Sequence, residues 1–233
     1  MNLYSILLMK IKKSFYIAFI FIFATISAFS QSFESNYSNA MRYISLGKRI
    51  QAQKFIQGCV LGAETVKNYL LLANIYHSLH INDTKVHEYL SRAYQKISSA
   101  EDAAETAREY VRMAVDKRMA QMSLNKGLSL AKNIKDTFLV ARGFKSILDD
   151  ASSTNLALTQ AKRFARTLED WITISDISYT EFSSTDTAAY ALDRCWNVAN
   201  NREEWFALSD AYKRIGFTLK ARLASDRGNA SIW

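Results

Sequence analysis

WFALSDAYKRIGFTLKARLAS, residues Trp205–Ser225, is the stretch from which the fold is read. Trp205, Leu208, Ser209 and Tyr212 are spaced as one stripe of a helix, and Gly216 breaks it. Ala221 and Ser225 then open a second stripe on a following helix. Two short amphipathic helices joined by a glycine turn form a hairpin that cannot bury its apolar faces alone, so it needs neighbours of its own kind.

Those neighbours lie upstream at steps of 34 residues. A small residue recurs as Ala73, Ala107, Ala141, Ser175 and Ser209, and three positions later a mostly aromatic column reads Tyr76, Tyr110, Phe144, Ser178, Tyr212. Leu72, Thr106, Val140, Ile174 and Leu208 precede the small column, and Tyr69, Ala103, Thr137, Trp171 and Trp205 form another. Later in each repeat comes a second small column, Cys59, Ala93, Gly127, Ala161, Cys195. Small side chains let two helices approach closely, and an aromatic one turn later fills the groove beside them. Asp102, Asp136, Asp170 and Glu204 keep the same phase, where a carboxylate complements the exposed N–H groups of a helix start.

This pattern resembles the tetratricopeptide repeat. Trp205, Leu208, Ser209, Tyr212, Ala221 and Ser225 follow that family's spacing, with Gly216 at the turn. Ala40, Tyr43, Gly47, Ala52, Ile56 and Cys59 follow it near the start, and Tyr69, Leu72, Ala73 and Tyr76 make a third clear copy. The family's terminal proline is missing throughout. The middle repeats lack the turn glycine, and their second-helix landmarks fall about one residue late. The resemblance implies an all-α, right-handed α-solenoid of about six helix-turn-helix repeats, near 32–65, 66–99, 100–133, 134–167, 168–201 and 202–233. It implies one continuous array over 31–233.

Composition agrees. The chain has 233 residues with no proline and only 7 glycines, too few turn formers for a β-rich domain of this size. Residues 10–30, KIKKSFYIAFIFIFATISAFS, read as a secretory signal: a basic start, an apolar run too short to span a bilayer, then small residues before Gln31. The leader is assigned to 1–30, and a start at Met9 gives a more typical one. Export to a periplasmic or extracellular space, if the source is bacterial, is the expected localisation. Lys10, Lys12 and Lys13 belong to the leader, so the remainder is only mildly basic. It has no concentrated basic stripe with aromatic platforms of the kind nucleic acids require.

Candidates for chemistry are few. There is no glycine-rich phosphate loop, no GxSxG and no HExxH, so no enzymatic activity and no cofactor are expected. His77, His80 and His87 cluster in one repeat but lack the spacing of a metal site, and no metal is expected. Cys59 and Cys195 share one packing column four repeats apart, out of disulfide reach. Trp196 and Trp233 stand outside the columns and are candidates for exposed contacts. In the family that this chain resembles, ligands lie along the first helices. Carried over, that face holds Asn74, His77, Arg108, Arg112, Arg142, Lys145, Asp176, Asp210 and Lys213. Its basic stretch, Arg108 to Lys145, suits an acidic peptide segment, unless pairs such as Arg142–Asp176 satisfy one another. The expected function is therefore a non-catalytic, exported protein–protein interaction module. The alternative is a structural subunit that stacks through its ends or convex face, with oligomerisation to match.

Overall fold

A computed structural model describes residues 33–80 and 83–230. The leader and Trp233 lie outside the described residues. Every regular element among those residues is helical: α1 (33–45), α2 (Arg49–Leu61), α3 (Val66–Leu79), α4 (Asp83–Lys96), α5 (Ala100–Ala114), α6 (Lys117–Leu130), α7 (Ile134–Gly143), α8 (Ala151–Ala161), α9 (Leu168–Thr180), α10 (Thr185–Cys195), α11 (Arg202–Arg214) and α12 (Thr218–Ala230). A π turn, Phe144–Leu148, continues α7. None of these helices is long and apolar enough to cross a membrane.

The helices pack in adjacent pairs, compatible with a helical repeat: α3 lies along α4, α7 along α8, α9 along α10 and α11 along α12. The residues divide into two compact units. One comprises the chain up to Lys96 with Arg112–Val115, and the other comprises Ile97–Val111 with the chain from Asp116 onward. In the first, Tyr43 of α1 stacks on Phe55 of α2 with ring centroids 5.5 Å apart, and Tyr76 of α3 stacks on Tyr89 of α4 at 5.4 Å. In the second, Gly127 of α6 meets α5 so closely that a Cβ placed there would stand 2.5 Å from the Cβ of Ala103. Any larger side chain would push α5 away, which explains the smallest residue of the second small column.

The columns read from the sequence are the core. All five residues of the first small column and all five of the second are buried. Tyr110, Phe144 and Tyr212 are buried in the aromatic column, and Trp171 and Trp205 one helical turn or more before them.

Local chemistry marks every joint between pairs. Thr65, Ser99, Asn133, Thr167 and Asn201, each 34 residues from the last, cap the first helix of a pair. The side-chain oxygen of each accepts the N–H three residues on. The recurring carboxylates occupy that third position and reach back: Asp102 accepts from Ser98 N, Asp136 from Lys132 N, Asp170 from Arg166 N and Thr167 N, and Glu204 from Asn200 N. Such reciprocal caps satisfy helix-start donors that would otherwise be orphaned, at about 1 kcal/mol each.

The turns inside the pairs share one backbone conformation. Gly47, His80, Val115, Asp149, Ser183 and Gly216 all have positive φ, between 52° and 83°. At Gly47 and Gly216 the next N–H returns five residues, Lys48 to Tyr43 O and Phe217 to Tyr212 O. At Val115, Asp149 and Ser183 it returns six: Asp116 to Tyr110 O, Asp150 to Phe144 O and Ser184 to Ser178 O. The wider loop takes in one more residue. That residue is why the second-helix landmarks of the middle repeats fall late.

Candidate functional site

The nine first-helix residues separate between the two compact units. In the first unit, Asn74 of α3 is a bridge: its Nδ2 donates to the Tyr37 hydroxyl at 3.0 Å and its Oδ1 accepts from Arg112 Nη2 at 2.9 Å. His77 is half-buried, with its ring centroid 6.2 Å from that of His80. Among the described residues no group of three His, Cys, Asp or Glu side chains is placed to hold a metal ion.

In the second unit Arg142 of α7 forks onto Glu181, Nε to Oε2 at 2.6 Å and Nη2 to Oε1 at 2.8 Å. Hydrogen bonding to Arg142 holds the Glu181 carboxyl below its usual range, and the same bond raises the guanidinium. Lys145 donates to the Glu181 carbonyl and lies over the Phe182 ring, 5.5 Å from its centroid. Asp176 of α9 accepts both Nε and Nη2 of Arg214 at 3.1 and 2.8 Å. Asp210 and Lys213 pair within α11 at 2.9 Å. Arg108 is exposed and forms no ion pair with another described residue.

The charges on this face thus largely satisfy one another, but not at the offset of a whole repeat. Arg142 does not meet Asp176. The pairs Asn74–Arg112 and Asp176–Arg214 each span 38 residues, one repeat plus one helical turn. Helical side chains lean toward their own N-terminus, so an arginine one turn further along reaches back to the level of its acceptor.

Between α7 and α9 a groove of about 310 Å³ remains open, lined by Ile134, Phe138, Thr173 and Ile177 together with Lys135, Arg142 and Asp170. A second depression of about 340 Å³ shares Ile134, Lys135 and Asp170 and adds Lys132 and Phe164. Asp170 is anchored: burial pushes its carboxyl up, but the N–H groups of Arg166 and Thr167 outweigh this and hold it below the ordinary value. A third, larger cleft of about 530 Å³ lies between the α7–α8 and α9–α10 turns, where Lys145, Asn155, Phe182 and Thr185 face it. The groove combines apolar side chains with Lys135, Arg142 and Asp170. Lys135, Phe138 and Glu181 are absent from the sequence-derived set. Lys135, Phe138, Arg142 and Lys145 follow helical 3-4-3 spacing, which would have revealed the first two.

Other candidates are packing residues. Burial pushes the Cys59 thiol up to about 11 and Cys195 up to about 12, so neither is a thiolate near neutrality. Trp196 is not free for contacts: its ring packs 5.1 Å from Trp205, and its Nε1 donates to the Tyr212 hydroxyl at 2.9 Å. That hydroxyl donates in turn to Asp193 Oδ1 at 2.6 Å. No family model and no curated protein matches this chain.

Proposed function

We propose that this chain is a non-catalytic adaptor of tetratricopeptide-like, right-handed solenoid architecture, exported by its leader, that holds a peptide segment of a partner protein along its first helices. The observation that carries this reading is the α7–α9 groove, whose apolar residues accept side chains while Lys135 and Lys132 stand ready for carboxylates. Neither lysine forms an ion pair with another described residue, in contrast to Arg142 beside them. Arg108 on α5 is a further exposed, unpaired basic residue among the first helices. The partner is thus a segment with acidic residues flanking apolar ones.

The test is affinity capture from the protein's own compartment with the double variant Lys135→Glu, Arg108→Glu. Both residues are exposed and structurally unengaged, so helical content and melting temperature stay as in the parent. Recovery of the partner falls at least tenfold. Equal recovery by variant and parent would remove the groove from consideration.

A second reading, a structural subunit that associates through its terminal helices, is favoured by one observation. Ile50 and Leu61 on α2 and Leu219 on α12 are 85%, 77% and 73% exposed. Light scattering over a concentration series separates the two, since this subunit grows in mass where the adaptor does not.

A further inference from the structure

The second helices carry a column of their own that stays partly exposed, although Tyr190 sets its ring edge to face against Trp171. Counting two residues on from the first buried residue of each second helix (Ala120, Thr154, Ala188, Ala221) gives Met122, Leu156, Tyr190 and Leu223. These four lie in one compact unit and are spaced by 34, 34 and 33 residues, yet they are 39%, 59%, 47% and 49% exposed. A lone exposed leucine needs no explanation, but apolar residues at one register position in four consecutive pairs do. One turn before them stand Arg118, Ser152, Asp186 and Leu219, and one turn after them Lys126, Gln160, Arg194 and Arg227. The ridge is therefore about one side chain wide with polar flanks along α6, α8 and α10, and widens at Leu219 on α12.

The flanks have a sign. The helices α6, α8 with its terminal Lys162 and Arg163, α10 and α12 carry nine basic residues and three acidic ones. The first helices of the same unit, α5 up to Val111, α7 with its π turn, α9 and α11, carry eleven acidic and seven basic. The ridge-bearing helices are thus net basic and the first helices net acidic, chiefly because the ridge helices hold few carboxylates. Lys162 lies over the Tyr190 ring itself, 4.3 Å from its centroid, so cation and apolar column are in direct contact.

We propose that this ridge is a second interaction surface, which seats an acidic amphipathic helix of a partner protein. Its width and charge suit that occupant. A partner helix with a narrow apolar stripe covers a line about one side chain wide, with its acidic residues over the basic flanks. A second copy of the chain, ridge on ridge, would set like charges face to face. A lipid surface rewards a broad apolar face, whereas this line is one residue wide over most of its length, with Asp186, Asp193 and Asp226 beside it.

The test places a benzophenone amino acid at Leu156 in the full chain, expressed in its own cells, with Glu105 on α5 as the control position. Cross-linked products are mapped by mass spectrometry. The expected product joins residue 156, and not 105, to a protein segment with apolar residues three and four apart, as on one face of a helix, between Asp and Glu. A synthetic peptide of that segment then binds the parent chain and loses at least tenfold in affinity to Leu156→Glu, Leu223→Glu. Added salt weakens it further. A cross-link to lipid, a product of twice the chain's mass, a segment without that pattern, or no product overturns the proposal. The ridge is independent of the α7–α9 groove: Lys135→Glu, Arg108→Glu leaves peptide affinity at the ridge unchanged, and Leu156→Glu, Leu223→Glu leaves capture through the groove unchanged.

Discussion

The α9–α10 and α11–α12 hairpins put the same positions to different use. In α11–α12 the small-column Ser209 donates its hydroxyl to Ala221 O at 2.7 Å, Tyr212 ties Trp196 to Asp193, and Gly216 makes the left-handed turn without strain. In α9–α10 the counterparts are Ser175 and Ser178, both fully buried with hydroxyls that find no partner, and Ser183, a left-handed residue that is not glycine. Only the start of α9 is better made, with a full capping box at Thr167 and Asp170. A buried unpaired hydroxyl costs about 1–3 kcal/mol and a left-handed L-residue about 1–2 kcal/mol. The fifth hairpin therefore gives up stability that the sixth retains. It is also the hairpin that borders both the α7–α9 groove and the larger cleft beside Phe182. Local rules are commonly broken where a surface serves something other than folding.

The largest expected effect exchanges the two turns. Neither Gly47 nor Gly216 has an atom within 4 Å of where a Cβ would stand, so substitution there tests backbone conformation alone. Gly216→Val costs about 2 kcal/mol in urea unfolding, because a β-branched residue is poorest in the left-handed region. Ser183→Gly gains up to about 1 kcal/mol. If Ser183→Gly weakens the chain, the strain assigned to the fifth hairpin is misplaced.

Next comes the pair of serines. Ser209→Ala removes a made hydrogen bond and lowers stability by about 1 kcal/mol, whereas Ser175→Ala removes only an unpaired hydroxyl and leaves stability unchanged or raised. The two melting temperatures should move apart; a matched fall would show that Ser175 is satisfied after all.

The smallest effect is electrostatic. The Glu181 carboxyl lies below its ordinary value in the folded chain, so the Arg142 pair contributes above the unfolded carboxylate range and is lost as pH falls through the lower, folded value. Both partners are partly exposed, so the contribution is a few tenths of a kcal/mol. Stability of Glu181→Gln should converge with that of the parent as pH is lowered from 7 to 3; a constant gap would assign the effect to packing.

The architecture was legible because its signal is volume. Ala73, Ala107 and Ala141 could be aligned by eye, and the helix starts at 66, 100, 134, 168 and 202 fall where the columns place them. The caps were half legible. Asp102, Asp136 and Asp170 marked helix starts, but their bonds back to Ser98, Lys132 and Arg166 depend on backbone geometry. The inner turns were not legible, since Val115 is among the residues least suited to positive φ and no sequence rule would nominate it. The ion pairs were misregistered because side-chain lean adds a turn to the repeat, so Asp176 takes Arg214 and Arg142 takes Glu181. The groove itself was not legible: Arg142 belongs to the first-helix set read from the sequence, but Lys135, which carries the free charge, does not.

The wide turns have a further consequence. From the cap at Ser99 to the left-handed Val115, from Asn133 to Asp149 and from Thr167 to Ser183 the interval is the same, and each is followed by an equal interval to the next cap. The third, fourth and fifth repeats are thus metrically interchangeable, each with its own clasp and corner, whereas in the last repeat the stretch from Asn201 to Gly216 is one residue shorter. Such a chain can gain or lose length by whole interior modules without retooling either end.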